Sequence, residues 1–235
     1  MYAAASGMAA AQQTLDVVAD NLANADVTGF KSDVAAFAAL GGNASLGTTE
    51  IGTHLLFTQG KLVRTGGPFD VAIDGAGFFQ VERGGCRAFT RAGAFSRARD
   101  GSLQDADGWK LDGVRIPEAA TRVDVAADGR VTVEVAAKPR SAGRIQLVAF
   151  VAPEHLRQVD SAIFAATEAS GAPHTIPAGG DRQPKIAFGT LEKSNVSIVE
   201  SMMAILAAQR AYEANAKGVQ AADEMLRIAN NIHRG

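Results

Sequence analysis

Apolar residues recur at alternating spacings of three and four at both ends of this 235-residue chain. In the first run, one heptad position holds large side chains and the other mostly small ones: Met1, Met8, Leu15 and Leu22, then Ala4, Ala11, Val18 and Ala25. The last run has the same character: Ile198, Ile205, Tyr212, Val219 and Leu226, then Ser201, Ala208, Asn215, Ala222 and Ala229. Such spacing, sustained over several heptads, predicts a long helix at each end of the chain.

We predict that the two terminal helices are partners. Small residues at one seam position let two helices approach closely, and alanine keeps helix propensity high. The predicted contact residues are the large ones of both seams: Met8, Leu15, Leu22, Ile198, Ile205, Tyr212, Val219 and Leu226. An ordinary amphipathic pair covering a core would give a similar pattern. However, the first 25 residues carry only two charges, Asp16 and Asp20, which favours a helix with several neighbours.

Local signals predict where these helices begin and end. Ser197 and Glu200 have the spacing of a capping box, so the second helix should begin there. Thr28 and Gly29 should end the first helix, because glycine accepts the left-handed conformation of a helix end. Asn21 and Asn24 precede that end, and we expect hydrogen-bond partners for both, since an unpaired buried amide costs about 1–3 kcal/mol.

The middle of the chain predicts an antiparallel β domain. Short Val-, Ile- and Phe-rich runs alternate with Asp-Gly pairs at 74–75, 100–101, 107–108, 112–113 and 128–129, and Asp-Gly is a strong hairpin signal. The expected fold class is therefore α+β, with residues 1–40 and 190–235 forming a helical domain of coiled-coil type. Residues 41–189 form the β domain, and a Gly- and Pro-rich loop near 168–184 returns the chain.

Composition and motifs exclude several function classes. The formal net charge of -2 argues against nucleic-acid binding, which needs basic patches. The segment Gly75–Gln80 lacks the third glycine of a dinucleotide fingerprint, and Asp105–Gly113 lacks the final glutamate of a calcium loop. Cys86 is the only cysteine, and the four histidines lack metal-ligand spacing. We therefore predict no catalytic residues, no cofactor and no metal.

Four separated motifs resemble the rod and hook family of bacterial flagellar axial proteins. They are "NLANADVTGFK" (21–31), "TQGKLVRTGGPFDVAIDGAGFFQV" (58–81), "FTRAGAFSRARDGSL" (89–103), and "LEKSNVSIVESMM" with "QRAYEANAK" (191–217). The residues singled out as the family signature are Asn21, Leu22, Ala23, Asn24, Thr28, Gly29, Phe30, Lys31, Ser194, Asn195, Val196, Gln209, Arg210, Ala211 and Tyr212. No residue-level match is claimed for 114–183.

The resemblance implies a structural subunit of the basal-body rod, of distal or proximal type. Such a subunit polymerises into a helical tube that transmits torque and carries the export channel. Its paired helices would line the channel, and the β domain would form the outer layer. The implied partners are copies of the chain, other rod and hook proteins, and the flagellar type III export apparatus, with no nucleic acid and no membrane span. The implied location is the rod across the periplasm, reached without a cleaved signal peptide.

Two other readings remain open from the residues alone. One is a soluble β-domain binding module that dimerises through its terminal helices, which an exposed aromatic platform would favour. The other is a hydrolase with an acidic pair distant in sequence. On the rod reading, we also expect the terminal helices to be poorly ordered in the free monomer, because helices without tertiary support are marginal.

Overall fold

The computed structural model describes residues 2–40 and 47–232 and confirms the α+β class. A helix stands at each end, α1 (Tyr2–Ala23) and α2 (Ile198–Ile232), with strands between them. The strands are β1 (Asp33–Leu40), β2 (Gly47–Leu55), β3 (Leu62–Arg64), β4 (Val71–Asp74), β5 (Phe78–Arg83), β6 (Cys86–Thr90), β7 (Ser96–Arg97), β8 (Ser102–Gln104), β9 (Lys110–Arg115), β10 (Ala120–Val125), β11 (Arg130–Val135), β12 (Lys138–Arg144), β13 (Leu147–Ala149), β14 (Arg157–Asp160), β15 (Ile163–Ala165), β16 (His174–Ile176), β17 (Lys185–Phe188) and β18 (Thr190–Glu192). A single 3-10 turn covers Pro153–His155.

The chain divides into two compact units. The helical unit contains residues 1–23, 33–56 and 197–235, and the β unit contains 24–32 and 57–196. These boundaries differ from the sequence-based ones at 40/41 and 189/190, and residues 41–46 lie outside the described part. The antiparallel β1–β2 hairpin groups with the helices because α1 contacts both of its strands.

In the helical unit, α1 packs against α2 and against the β1–β2 hairpin. The helix α1 ends at Ala23, earlier than the predicted Thr28–Gly29. Its last turn is tied to β1 by Asn21, whose Nδ2 donates to the carbonyl of Asp33 at 2.7 Å and whose Oδ1 accepts from the Asp33 N–H at 2.8 Å. The chain then turns through residues 24–29 and reaches Gly29 at a φ of 71°. Thus the glycine ends this turn rather than the helix.

The helix α2 begins where the capping box predicts. Ser197 is its N-cap, and the Ser197 Oγ accepts from the Glu200 N–H at 3.4 Å. From there α2 runs for 35 residues. A serine hydroxyl in this position satisfies one of the backbone N–H groups that a helix start leaves unpaired.

The β unit is built on one large antiparallel sheet with the strand order β10-β11-β12-β9-β5-β6-β15-β14. The hairpin predicted from the Asp-Gly pair at 128–129 is β10–β11, in which Val123 faces Val133 and Val125 faces Val131. The core is aliphatic and aromatic, with Phe79, Val81, Ile116 and Leu147 almost completely buried. Trp109 belongs to this core as well.

Late strands of the β unit pair with early ones. Strand β17 pairs with β4, and β18 pairs with β3. The predicted return loop near 168–184 contains a short strand, β16, which pairs with β13. The segment therefore adds an edge strand to the sheet as well as returning the chain.

Candidate assembly surface and buried charge cluster

One side of α2 faces inward in the helical unit. Ala208 is buried, and Ser201, Ile205, Asn215 and Val219 are half-buried. These positions follow the predicted 3–4 seam. At one point the contact with α1 is very close, because a Cβ atom added to Gly7 would lie 2.7 Å from Nδ2 of Asn215.

The predicted contact residues are not equally placed. Met8, Leu15, Leu22, Ile205 and Val219 are half-buried. By contrast, Ile198, Tyr212 and Leu226 are largely exposed, at 46%, 41% and 53%. Which seam residues carry the pairing, and whether it has coiled-coil geometry, stay predictions.

The opposite side of α2 carries an exposed apolar patch near its N-terminal end. Val199, Met202, Met203 and Leu206, here called the apolar patch, have exposed fractions of 67%, 54%, 58% and 55%. At 100° per residue these four side chains fall within about 100° of one another on the helix surface. A cluster of large apolar side chains facing water typically marks an interaction surface.

Beyond the patch, α2 becomes polar. Gln209, Arg210 and Ala211 of the family signature are exposed, as are Glu213 and Lys217. Further along, Met225, Leu226 and Ile228 are exposed again. The apolar patch is therefore bounded by a charged stretch rather than continuous along the helix.

A second site lies inside the β unit, where three charged side chains are buried together. Nζ of Lys31 lies 2.7 Å from Oε1 of Glu192, and both Nε and Nη2 of Arg91 lie 2.9 Å from Oε2 of the same carboxylate. The side-chain exposures are 0% for Lys31 and Glu192 and 5% for Arg91. Burying charges is costly unless they are paired and fully hydrogen-bonded.

Backbone groups complete the hydrogen bonding of this cluster. Nζ of Lys31 donates to the carbonyl of Thr58 at 2.7 Å, and the N–H of Gly60 donates to Oε1 of Glu192 at 2.9 Å. Nη1 of Arg91 donates to the carbonyls of Gly75 and Gly77 at 2.8 and 2.7 Å. Each charge is thus held by several partners, which is the arrangement that a buried ionic group requires.

The neighbouring segments are tied together by Asn195. Its Oδ1 accepts from the N–H of Ser32 at 2.8 Å, and its Nδ2 donates to Oγ1 of Thr58 at 2.9 Å. In addition, the N–H of Gly29 donates to the carbonyl of Glu192 at 2.8 Å. We call this whole network, comprising Lys31, Arg91, Glu192, Asn195 and their backbone partners, the clasp.

Glycine is required at two places in the clasp because the backbones approach so closely. A Cβ atom at Gly60 would lie 1.9 Å from the carbonyl oxygen of Lys193, and one at Gly29 would lie 2.3 Å from the backbone nitrogen of Ala92. No side chain fits at these distances. The clasp is thus assembled from backbone and side chains of segments distant in sequence.

The electrostatics of the clasp are dominated by burial. Burial lowers the pKa of the Lys31 ammonium from its ordinary value, while the hydrogen bond from Lys31 to Glu192 and the charge of Glu192 oppose this effect. The nearby Arg91 adds to the lowering. The negative charge of Glu192 therefore offsets part of the cost of burying the Lys31 and Arg91 cations.

The surface of the β unit also has a groove of about 700 Å³, lined by residues such as Arg83, Asp100, Lys110 and Arg115. Here Nζ of Lys110 pairs with Oδ2 of Asp100 at 2.5 Å, and that hydrogen bond, together with one from Ser102, lowers the pKa of the Asp100 carboxyl. Lys110 and Asp100 thus form an ion pair at the surface of this groove. Trp109 is only 4% exposed, so the side chain that could have formed an aromatic binding platform is in the core.

Two negative findings apply to the described part of the chain. No group of three His, Cys, Asp or Glu side chains within 2–40 and 47–232 is arranged to hold a metal ion. Neither of the helices in these ranges is both long enough and apolar enough to cross a membrane.

Comparison with known proteins matches both ends and part of the β unit to flagellar families. Residues 1–31 match a family model described as "Flagella basal body rod protein". Residues 72–133 match "Flagellar hook protein FlgE/F/G D1 domain", and residues 188–232 match "Flagellar basal body rod FlgEFG protein C-terminal". The clasp residues Lys31 and Arg91 fall in the first two matched ranges, and Glu192 falls in the third.

Relatives that match along their whole length are also flagellar rod proteins. The flagellar basal-body rod protein FlgG of Borreliella burgdorferi is 34% identical, with 100% of this chain and 98% of the relative covered. The protein of the same name from Agrobacterium fabrum is 34% identical, with 97% and 96% covered. The chain belongs to the flagellar basal-body rod protein family. It is a structural subunit of the rod, and the resemblance to the rod and hook family is confirmed.

The relatives also bear on rod type and on catalysis. A rod protein named FlgF, from Caulobacter vibrioides, is 30% identical with 97% of this chain covered. The names of these relatives are those of structural rod proteins rather than enzymes.

The clasp contains two residues of the predicted family signature. Lys31 and Asn195 were singled out from the sequence, but Arg91 and Glu192 were quoted only inside longer motifs. The signal at Arg91 was a single charge within the otherwise uncharged stretch "FTRAGAF". Of the two asparagines that opened the signature, Asn21 has the predicted partners in Asp33. Asn24 is half-buried, and its backbone carbonyl accepts from the Val27 N–H at 3.1 Å.

Proposed function

We propose that this rod subunit polymerises by burying the apolar patch of α2 against further copies of the chain. The observation that carries the proposal is the exposure of four large apolar side chains on the side of α2 away from its inward-facing seam. A protein surface rarely keeps such a cluster in water unless a partner covers it. A head-to-tail contact that does not close on itself produces an open helical filament, which is what a rod requires.

We further propose that α1 and α2 form a coiled-coil-like pair that lines the inner wall of the tube, with the β unit outside. The close approach of Gly7 to Asn215 supports a tight helix pair. The scarcity of charge on α1 supports burial among several neighbours in the assembled rod. In this arrangement the rod transmits torque through its subunit contacts and encloses the export channel.

The proposed partners are copies of the chain, other flagellar rod and hook proteins, and the flagellar type III export apparatus. The proposed location is the periplasm-spanning rod, reached without cleavage of a signal peptide. The mass of the subunit isolated from basal bodies tests this last point, since removal of an N-terminal segment would contradict it.

The patch is tested by placing a charge in it. In a strain lacking the chain's gene, Met202→Glu should abolish swimming and yield basal bodies without a complete rod, because a buried carboxylate without a partner is costly. The matched control is Gln220→Glu, an exposed position 18 residues later, which is five turns along the same helix face. Motile cells with intact rods from Met202→Glu would refute the proposed surface. Immunoblots that show equal levels of both variants exclude degradation as the cause.

A further inference from the structure

The clasp joins three of the places where the chain enters or leaves the β unit. That unit comprises residues 24–32 and 57–196. The clasp contains Lys31 and Ser32 at the end of the first segment, Thr58 and Gly60 at the start of the second, and Glu192 with Asn195 at its end. The chain exits are therefore held by one hydrogen-bonded network.

The residues of the clasp lie far apart in the sequence. Glu192 is 161 residues from Lys31 and 101 residues from Arg91. Both cations precede Glu192, the carboxylate that they share, in the sequence. Strands β3 and β4 lie between Lys31 and Arg91 in the sequence. Their partner strands, β18 and β17, lie within residues 185–192.

Before Glu192 docks, the closed arrangement is electrostatically unfavourable. Lys31 and Arg91 would be two like charges without their shared carboxylate, and removing one partner of a buried ion pair is strongly destabilising. Both side chains can avoid this only by remaining in water. The segment around Lys31 and strands β3 and β4, which lie outside the large sheet, should therefore stay open while the large sheet can form.

We propose that the clasp closes last in the folding of the β unit, and that Glu192 is the group whose arrival closes it. The hairpins β5–β6 and β10–β11 join neighbouring segments and can form early, because short loops close at little entropic cost. Docking of residues 185–195 then brings the acid to the two cations and pairs β3 and β4. The β unit thus becomes fully ordered only when nearly all of the chain is present.

The order of closing is measured by pulse-labelled hydrogen exchange during refolding of the unaltered full-length chain. The N–H groups of Gly29, Gly60 and Lys193 report on the clasp, because each donates within it or beside it. The amides of β10–β11 report on the early hairpins. We expect the hairpin amides to become protected in an earlier phase than the three clasp amides. Protection of both sets in one phase would overturn the proposal.

The role of charge is measured separately at equilibrium in the native protein. Glu192→Gln keeps the size and an acceptor oxygen but removes the charge, so the clasp amides should exchange about a hundredfold faster or more. The β10–β11 amides should change far less. Adding Lys31→Met to Glu192→Gln removes one unpaired cation and should recover at least part of the lost protection. Equal loss in both variants would contradict a charge-based closure.

The matched control is Lys193→Gln, which alters a neighbouring exposed charge and should leave exchange at Gly29 and Gly60 unchanged. If Glu192→Gln fails to fold, the refolding experiment on the unaltered chain still decides the proposal, because it requires no variant.

Discussion

Lys31 and Glu192 form a salt bridge of 2.7 Å with both side chains fully buried, although 161 residues separate them in sequence. Lys31 ends the N-terminal signature motif, and Glu192 follows the first residue of the C-terminal one. The two motifs therefore meet inside the β unit, next to Arg91 from a third motif. Residues from three separated motifs thus form one structural network, which is separate from the proposed subunit contacts.

Lys31→Met should lower the free energy of unfolding by about 3–5 kcal/mol, the usual effect of removing one partner of a buried ion pair. Methionine fills much of the same space, so the loss reports on charge and hydrogen bonding. Urea unfolding followed by circular dichroism measures it. Lys193→Met, at an exposed position beside the clasp, should change stability by less than about 0.5 kcal/mol. Equal losses of stability in the two variants would show that the burial of Lys31 does not account for its contribution.

Gly7→Ala and Gly218→Ala should have different effects on stability. A Cβ at Gly7 would meet the Asn215 side chain at 2.7 Å, whereas a Cβ at Gly218 has open space around it. We expect Gly218→Ala to stabilise the protein by up to about 1 kcal/mol through helix propensity. Gly7→Ala should gain less or become destabilising, because Asn215 has to move. Thermal melts of both variants test this, and a gain at Gly7 equal to that at Gly218 would contradict a close helix contact there.

The hairpin turn between β11 and β12 should be improvable. Ala136 and Ala137 occupy left-handed conformations with φ of 50° and 61°, which fit the two-residue turn but suit asparagine and glycine better. Ala136→Asn combined with Ala137→Gly should therefore raise the free energy of unfolding by about 1 kcal/mol or more. Ala106→Gly, in an exposed turn, is the control and should not stabilise. A melting temperature unchanged by the double substitution would argue against this turn geometry.

Asp33 should make stability depend on pH. Burial raises the pKa of its carboxyl from 3.8, and the nearby charge of Asp20 raises it further. Because the folded state disfavours the charged form, the cost is present above the folded-state pKa and disappears as the pH falls below 3.8. Asp33→Asn should thus raise the melting temperature at neutral pH and lose this advantage near pH 3. The Asn21 hydrogen bonds are to the backbone of residue 33, so they are kept.

The control for that experiment is Asp26→Asn, at an exposed position in the turn after α1. Its melting temperature should follow that of the unaltered chain at all pH values. An advantage of Asp33→Asn that persists unchanged at pH 3 would show that the effect is not due to the carboxylate charge.

Features set by neighbouring residues could be predicted from the sequence. The N-cap at Ser197 depends on one turn of helix, and the β10–β11 hairpin depends on an Asp-Gly turn flanked by alternating valines. Three of the five Asp-Gly pairs, at 100–101, 107–108 and 128–129, do lie between consecutive paired strands. The pair at 112–113 lies within β9, and the pair at 74–75 ends a strand whose partner is β17.

Features set by distant residues could not be predicted in this way. The partners in the clasp are 101 and 161 residues apart, and no periodicity encodes such a pairing. The β11–β12 turn has alanines where turn residues are expected, so the local signal was lacking. Strand β1 reads "DVAAFAAL", whose alanines give no alternation of apolar and polar residues. Its place beside α1 depends on tertiary packing.

Limited proteolysis of the free subunit separates the units and tests how the terminal helices behave before assembly. We expect rapid cleavage in residues 1–23, 33–56 and 197–235, the three segments of the helical unit, and a resistant fragment near 57–196. A two-stranded hairpin and two helices have little stability of their own, whereas the β unit has a large buried core. Residues 24–32, including Lys31, should remain bound to this fragment through the clasp even if the chain is cut between them. Mass spectrometry under native conditions detects that association. A full-length chain that resists the protease would show instead that the helical unit is stable without neighbouring subunits. That result would contradict the expectation that the terminal helices become ordered only on assembly.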